Sequence, residues 1–166
     1  MNYYAGIGSR KTPANILNVM THIAEFLQRR EYTLRSGAAQ GADTAFEKGA
    51  GELKEIFTAR SNIPSEAMST VDRFHPAPGN LSPYARKLMA RNAMQIFGAD
   101  MNTPVSFVIC WTPDGANGTT QPTSYNTGGT GQAIRIAAAN GIPVINLGRK
   151  HTTEQLCEKL LSLINS

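Results

Sequence analysis

The sequence predicts an α/β fold built on a single doubly wound, mostly parallel sheet of the Rossmann-like kind. Strand-like and helix-like segments alternate along the whole 166-residue chain, and such alternation is typical of parallel sheets. Glycine-rich turns follow three of the predicted strands, at 6–10, 37–43 and 127–131. Because the carboxyl ends of parallel strands meet at one edge of a sheet, where ligands bind, the three turns predict one shared binding edge.

The predicted elements follow in order along the chain. Short apolar runs predict strands at 3–7, 32–36, 53–59, 105–111 and 142–147. Apolar residues at helical spacing predict helices at 13–30, 42–50, 82–98, 130–140 and from Thr152 or Thr153 onward. Thr12 before Pro13 and Ser82 before Pro83 are typical of helix starts, and Gly98 is typical of a helix end. Right-handed crossovers are expected to join the strands.

Two segments interrupt this alternation and are predicted as long loops. Residues 60–81 contain several prolines, and residues 113–126 are rich in Gly, Thr, Asn and Ser. Long loops inside a compact domain are usually functional or disordered. Residues 113–126 lie at the predicted binding edge, so they either close over a ligand or form a surface loop without a function.

Composition narrows the class of protein. Hydrophobic residues make up 41% of the chain and charged residues 17%, which fits one globular domain over residues 1–166. The net charge of +4 favours anionic ligands without by itself indicating nucleic acid. The chain lacks both a long apolar run and a signal-peptide pattern, so a cytoplasmic location without membrane contact is expected. Cys110 and Cys157 have no redox or metal spacing and are predicted to be buried free thiols.

The shared edge is predicted to bind phosphate. Backbone N–H groups at glycine turns and the positive end of a following helix attract anions. For any single turn, the alternative is a tight turn that only packs. The residues expected to line the site are Gly6, Gly8, Ser9, Arg10, Ser36, Gly37, Gly128, Gly129, Thr130, Gly131 and Gln132.

Three further polar residues are candidates for chemistry near this edge. Asp43 begins the helix at 42–50, so it is either a helix-start partner or an acceptor for a ribose hydroxyl. Arg91 lies on an apolar helix and either faces solvent or projects into the site. Asp114 follows the fourth strand and is either a ligand contact or an ordinary turn residue. The sequence has no cluster with metal-ligand spacing, so no metal ion or cofactor is predicted.

The glycine motifs resemble those of the SLOG superfamily. The matching segments read GIGSR at 6–10, SGAAQGADTA at 36–45 and GGTG at 128–131, followed by IPV at 142–144. This superfamily includes the DNA-processing protein DprA (Smf) and the LOG nucleotide phosphoribohydrolases. The resemblance covers nearly the whole chain, is closest to small DprA-like proteins of bacteriophages, and implies a Rossmann-like domain of the SLOG type.

LOG enzymes cleave the base from a nucleoside monophosphate with a P-G-G-x-G-T-x-x-E motif and an arginine on a preceding helix. Gly128, Gly129 and Gly131 match this motif, and Arg91 resembles the helical arginine. Arg135 stands where these enzymes have glutamate. A carboxylate stabilises positive charge on the ribose or activates water, and an arginine does neither. The sequence therefore predicts binding without efficient turnover, and LOG-type hydrolysis is the alternative.

The other implied activities involve signalling nucleotides and DNA. SLOG domains of immune signalling bind ADP-ribose-like or cyclic nucleotides, so a phage copy could sequester such a signal as a counter-defence protein. DprA proteins bind single-stranded DNA and a recombinase, which requires a basic groove with stacking aromatic residues. Because the aromatic residues are predicted mostly in strands and core, we expect a nucleotide-derived ligand, with the nucleoside 5′-monophosphate N-glycosidase and the single-stranded DNA-binding mediator as alternatives.

A homo-oligomer is also expected. SLOG-like proteins are typically dimers or larger. The helix predicted at 82–98 carries more apolar residues than one face of a sheet readily covers, among them Leu88, Met89, Met94, Ile96 and Phe97.

Overall fold

The computed structural model describes residues 1–165 and contains a five-stranded sheet in which every strand pairing is parallel. The strands are β1 (Asn2–Gly6), β2 (Tyr32–Ser36), β3 (Lys54–Ile56), β4 (Phe107–Cys110) and β5 (Val144–Asn146). Their order across the sheet is β3-β2-β1-β4-β5, so the winding reverses between β1 and β4. The predicted doubly wound α/β fold is therefore confirmed. Ser166, the last residue of the domain expected at 1–166, lies outside the described residues.

Helices pack on both faces of the sheet. They are α1 (Ala14–Arg29), α2 (Ala42–Ala50), α3 (Ser65–Phe74), α4 (Pro83–Phe97), α5 (Thr130–Ala139) and α6 (Thr153–Ile164). One face carries α1, α2 and α6 around Tyr4 and Phe107, and the other carries α3, α4 and α5 around Ala5 and Val108. Because successive strand residues point to opposite faces, the strands supply both cores.

Local capping signals place several helix ends as predicted. The Ser82 hydroxyl accepts a hydrogen bond from the Ala85 N–H, which begins α4. A reciprocal pair of hydrogen bonds between Thr152 and Gln155 begins α6. The predicted cap at Thr12 is wrong, because its hydroxyl instead donates a 2.6 Å hydrogen bond to the Ser9 carbonyl.

The prediction of a loop over the whole of 60–81 is wrong, because this segment contains α3. Ala67, Val71 and Phe74 recur at helical spacing and pack in the core beside α4 and α5. Pro64 stands immediately before the helix, where its missing N–H leaves no helical hydrogen bond unmade. The prolines beyond Phe74 mark the end of a helix and not a structureless segment.

The outer strands and α6 differ from prediction in smaller ways. β3 and β5 are shorter than the apolar runs at 53–59 and 142–147, and β4 is likewise shorter than the run at 105–111, although it has a neighbour on both sides. Cys110 is buried, as predicted, but Cys157 is exposed. The prediction for Cys157 is wrong because α6 lies over the edge of the sheet and buries only one stripe of residues, which includes Leu160.

No helix within residues 1–165 is long and apolar enough to cross a membrane. Within the same residues, no three His, Cys, Asp or Glu side chains come close enough together to hold a metal ion.

Candidate binding site at the carboxyl edge of the sheet

The loop that follows β1 is held against β4 and α2. The N–H of Ser9 donates a 3.1 Å hydrogen bond to the Trp111 carbonyl and extends the β1–β4 pairing beyond the strands. Gly8 allows α2 to approach, since a Cβ there would lie 2.6 Å from the Cβ of Ala42. Gly6 is buried, and a Cβ there would lie 2.6 Å from the ring of Phe46. Gly6 and Gly8, which are predicted to contact a ligand, thus allow α2 to pack closely against this loop.

Hydrogen bonds from buried polar groups hold the loop that follows β2 in place. The hydroxyl of Ser36 donates a 2.6 Å hydrogen bond to the Gly6 carbonyl, and the Ala39 N–H donates a 3.1 Å hydrogen bond to Oδ2 of Asp43. Asp43 is only 4% exposed. The two glycine loops therefore share a buried support beneath the edge, to which Asp43 contributes a carboxyl group.

Asp43 and Arg91 lie close enough together near the end of β2 for the charge of each to affect the pKa of the other. Burial raises the pKa of Asp43 to about 6, although the Ala39 N–H and the charge of Arg91 act in the opposite direction. Burial also lowers the pKa of Arg91, which the charge of Asp43 partly offsets. The Nε of Arg91 is buried and has no hydrogen-bond partner among residues 1–165. The pair places a weakly acidic carboxyl group and a guanidinium close to the edge.

The third glycine turn is open to solvent. Gly128 has φ of +73°, a conformation that favours glycine, and a Cβ there would meet no atom within 4 Å. The Gly129 carbonyl accepts a 3.3 Å hydrogen bond from the side chain of Asn92 on α4. The N–H groups of Gly129 and Thr130 have no hydrogen-bond partner among the described residues 1–165. This turn therefore offers two N–H groups at the positive end of α5.

Gln132 lies away from that opening, although it was predicted to contact a ligand. It is fully buried, and its Nε2 donates a 3.3 Å hydrogen bond to the Thr70 carbonyl of α3. Its Oε1 accepts a 2.9 Å hydrogen bond from Arg135, whose Nε also donates to the Phe74 carbonyl. Gly131 is buried too and would crowd Arg135 if it carried a Cβ. These residues join α5 to α3, a partner that the sequence analysis did not predict.

Asp114 organises the loop between β4 and α5. Its carboxylate accepts hydrogen bonds from the hydroxyls of Thr112, Ser124 and Thr127 and from the Ala116 N–H. Partial burial acts to raise the pKa of Asp114, but these hydrogen bonds outweigh it and lower the pKa below its usual value. The Asp114 carboxylate thus uses its hydrogen bonds to hold this loop in place. The Asp43 carboxyl group has fewer hydrogen-bond partners.

Asn146 is a second organiser that the sequence analysis missed. Its Oδ1 accepts hydrogen bonds from the Thr112 and Gly148 N–H groups, and its Nδ2 donates to the Thr112 hydroxyl and the Ala116 carbonyl. The side chain is 1% exposed. Asn146 is the polar residue in the otherwise apolar run at 142–147. This contrast is the feature of the sequence that could have indicated a buried polar role.

Charge is distributed unequally between the two edges of the sheet. The loops that follow the strands carry one carboxylate, Asp114, together with the exposed cations Arg10, Lys11, Arg60, Arg149 and Lys150. The loops that precede β2 to β5 carry one cation, Arg30, together with the carboxylates Glu31, Glu52 and Asp100. The exposed cations of the loops are therefore concentrated at the carboxyl edge, which is the edge with the glycine turns.

Two tyrosines lie exposed near the same edge. Tyr125, in a short 3₁₀ turn before Gly128, is 99% exposed, and Tyr84, in the first turn of α4, is 65% exposed. Tyr84 is close enough to Arg91 to affect the pKa of that guanidinium. Many of the aromatic residues lie in strands and core, as the sequence predicts, and Tyr125 and Tyr84 are exceptions.

Comparison with known proteins bears on the fold. No family model matches the sequence, and no curated protein matches it. A similar solved structure is that of DNA processing protein A from Helicobacter pylori, which was studied for its unique single-stranded DNA binding mode. The TM-score is 0.60 at 16% sequence identity, and the match covers 99% of this chain and 79% of that chain. The likeness agrees with the resemblance to the SLOG superfamily at the level of the fold.

Proposed function

We propose that this chain binds single-stranded DNA across the carboxyl edge of its sheet. The observation that supports this proposal most directly is the positive charge of the loops at that edge, where Arg10, Lys11, Arg149 and Lys150 are exposed beside the open glycine turn. A phosphate backbone binds such a row of cations and releases counterions as it does so. The sequence by itself predicts a nucleotide-derived ligand, with single-stranded DNA as an alternative.

The arrangement of the cations supports an extended ligand. Arg10 and Lys11 follow β1, and Arg149 and Lys150 follow β5, with β4 between these two strands. Two strand spacings amount to about 10 Å, so the two pairs of cations are spaced for more than one phosphate. Tyr125 and Tyr84 supply exposed rings at the same edge, and stacking on aromatic rings is the usual partner of such electrostatic contacts.

The fold gives further support of a weaker kind. The solved structure with the similar fold belongs to a protein that binds single-stranded DNA. Because a shared fold does not by itself imply a shared function, this likeness supports the proposal only together with the charge distribution. A cytoplasmic location, which the sequence analysis expects, is part of the proposal.

The proposal is tested by fluorescence anisotropy with a labelled 20-nucleotide oligothymidylate and a hairpin duplex of equal length. We expect the single strand to bind more tightly, with affinity that falls steeply between 50 and 200 mM salt. Lys11→Glu and Lys150→Glu should weaken binding. The matched control is Lys48→Glu, since Lys48 is an exposed lysine at the last turn of α2, at the opposite end of the sheet. Equal losses in all three variants would contradict the proposal.

A nucleotide-derived ligand is the second candidate. The observation that favours it is the pair of unbonded N–H groups at Gly129 and Thr130, which suits a single phosphate. Calorimetry with AMP, ADP-ribose and cyclic nucleotides tests this candidate, including the proposal that a phage protein sequesters a signal. Chromatography of the same mixtures detects release of free base, which would indicate a nucleoside 5′-monophosphate N-glycosidase.

A further inference from the structure

We infer that Tyr125 is a base-stacking platform of the proposed DNA site and that Asp114 is the residue that positions it. This inference rests on the proposed binding of single-stranded DNA and adds to it the residue that recognises an unpaired base. Tyr125 is 99% exposed, and its ring lies at the carboxyl edge, three residues before the open Gly128.

The backbone on each side of Tyr125 is anchored to one carboxylate oxygen. The hydroxyls of Ser124 and Thr127 both donate hydrogen bonds to Oδ2 of Asp114. The Ser124 N–H donates a 2.8 Å hydrogen bond to the Thr127 hydroxyl, and the Asn126 N–H donates a 3.2 Å hydrogen bond to the Ser124 hydroxyl. The turn is therefore closed on the inside, and Tyr125 is the residue it turns outward.

Asp114 is itself fixed to the sheet. Its Oδ1 accepts a 2.8 Å hydrogen bond from the Thr112 hydroxyl, and that hydroxyl accepts a 2.7 Å hydrogen bond from Nδ2 of Asn146 in β5. A continuous series of hydrogen bonds thus runs from the buried strand to the turn that carries Tyr125. Because the backbone is held in this way, only the side-chain torsions of Tyr125 have to be ordered when a ligand packs on its ring.

The surroundings of Tyr125 suit a nucleotide better than an apolar partner. Gly128 leaves open space where a side chain would stand, and the Gly129 and Thr130 N–H groups follow at the start of α5. Arg149 reaches the same loop, where its Nη1 donates a 3.1 Å hydrogen bond to the Thr120 hydroxyl. Aromatic surface, N–H groups and a guanidinium therefore occur together, which matches a base joined to a phosphate.

This geometry favours an unpaired base as the ligand. Base faces are covered in a duplex and accessible in a single strand, so a platform at this edge discriminates between the two. Loss of one aromatic platform typically reduces affinity by roughly tenfold or more. The cations, in contrast, attract any strand with the same phosphates, whether or not it carries bases.

The test compares two strands that differ only in their bases. Labelled oligothymidylate and an abasic strand with the same number of phosphates are titrated by fluorescence anisotropy. The wild-type protein should prefer the strand with bases by roughly tenfold. Tyr125→Ala should remove most of this preference, since Tyr84 keeps the other exposed ring described at this edge, and should leave the affinity for the abasic strand unchanged. Tyr125→Phe should restore the preference, and Tyr125→Leu should not.

The positioning role of Asp114 is tested by the same ratio, which is the affinity for oligothymidylate divided by the affinity for the abasic strand. Asp114→Ala should reduce the preference although Tyr125 is present. The matched control is Asn117→Ala, which removes hydrogen bonds within the same loop that do not reach Asp114. Asn117→Ala should keep the preference, and circular dichroism should show that all the variants are folded.

The outcomes separate this inference from the proposed function. If both strands bind with steep salt dependence and Tyr125→Ala leaves their ratio unchanged, the inference is wrong and the proposed function stands. If Asn117→Ala reduces the preference as much as Asp114→Ala, the positioning role of Asp114 is wrong. If neither strand binds, the proposed function fails and the inference fails with it.

Discussion

The Nη1 of Arg91 donates a 2.7 Å hydrogen bond to the carbonyl oxygen of Gly37, which joins the middle of α4 to the loop that follows β2. Gly37 permits this approach, because a Cβ there would lie 2.8 Å from that same nitrogen and 2.6 Å from Nε2 of Gln95. The side chain of Arg91 thus reaches from α4, on one face of the sheet, to the carboxyl end of β2. The glycine at position 37 of the second glycine motif is thus explained by the packing of a helix against it.

Gly37→Ala is therefore expected to destabilise the protein. The added methyl group must displace the far ends of the Arg91 and Gln95 side chains, and disturbing the hydrogen bond from Arg91 to the Gly37 carbonyl should cost about 1 kcal/mol. Urea unfolding measures the loss. Gly79→Ala is the matched control, since a Cβ at Gly79 would meet nothing within 4 Å, and it should change the free energy of unfolding by less than about 0.5 kcal/mol. A loss at Gly79 as large as that at Gly37 would contradict this explanation.

The buried carboxyl group of Asp43 should make stability fall as pH rises through the weakly acidic range. Burial raises its pKa in the folded protein from 3.8 to about 6, so the folded state holds the proton more tightly than the unfolded state. Stability from this group is fully present below about pH 4 and is lost as the pH rises to about 6. The change is at most about 3 kcal/mol, at 1.36 kcal/mol per pKa unit.

Asp43→Asn cannot titrate and serves as the reference for this effect. Urea unfolding at half-unit steps from pH 4 to 7 should show the wild-type protein losing stability relative to the variant. A difference that stays constant across this range would mean that the folded carboxyl group is not protonated at pH 5.

Asp114 should show the opposite dependence on pH. Its pKa is lowered in the folded state because its hydrogen bonds outweigh the effect of burial, so its contribution to stability is present above the usual pKa near 4 and is lost as the pH falls through the lowered value. Asp114→Asn should reduce stability by about 1–3 kcal/mol at pH 7, and the difference should narrow below pH 4. Widening of the difference in acid would contradict the sign.

Local signals made much of the fold predictable from the sequence. Ser82 and Thr152 begin helices because each side chain satisfies an N–H group three residues later, which is a short-range property. The five strands were predicted because their apolar runs are buried from both faces, as parallel strands require. The shared edge of the glycine turns then followed from the topology.

Long-range partners explain what the sequence did not predict. Gln132 follows the last glycine motif, but its partner Thr70 lies in α3, a segment whose surrounding prolines predict a loop. Asn146 supports a loop that begins 34 residues earlier in the chain. Such partners are decided by tertiary packing, and neither residue has a local pattern that reveals them.

Association into a homo-oligomer stays a prediction. Met94 and Ile96, on which it partly depended, are buried within the chain, whereas Leu88 and Met89 of α4 are only partly buried. Light scattering at micromolar concentration should therefore give a mass above the 17.9 kDa of one chain, and Leu88→Glu should lower it. Leu161→Glu is the control, because Leu161 is exposed on α6. A mass of one chain for the wild-type protein would exclude association.

Arg10 should contribute a phosphate contact to the proposed DNA site. It is exposed in the loop after β1, and its charge acts on the guanidinium of Arg91, so it lies beside the loop after β2. Arg10→Ala should weaken binding of oligothymidylate by roughly tenfold, as expected for loss of one charge-assisted hydrogen bond. It should also reduce the slope of log affinity against log salt by about one unit.

The matched control for Arg10→Ala is Arg30→Ala, which removes the same side chain from the loop before β2 at the opposite edge. Arg30 lies over the ring of Phe26, 4.6 Å from its centre, so this variant tests loss of an arginine without loss of a phosphate contact. Affinity and salt slope should both stay at the wild-type values. If Arg30→Ala reduces them as much as Arg10→Ala, binding follows net charge alone and the carboxyl edge is not the site.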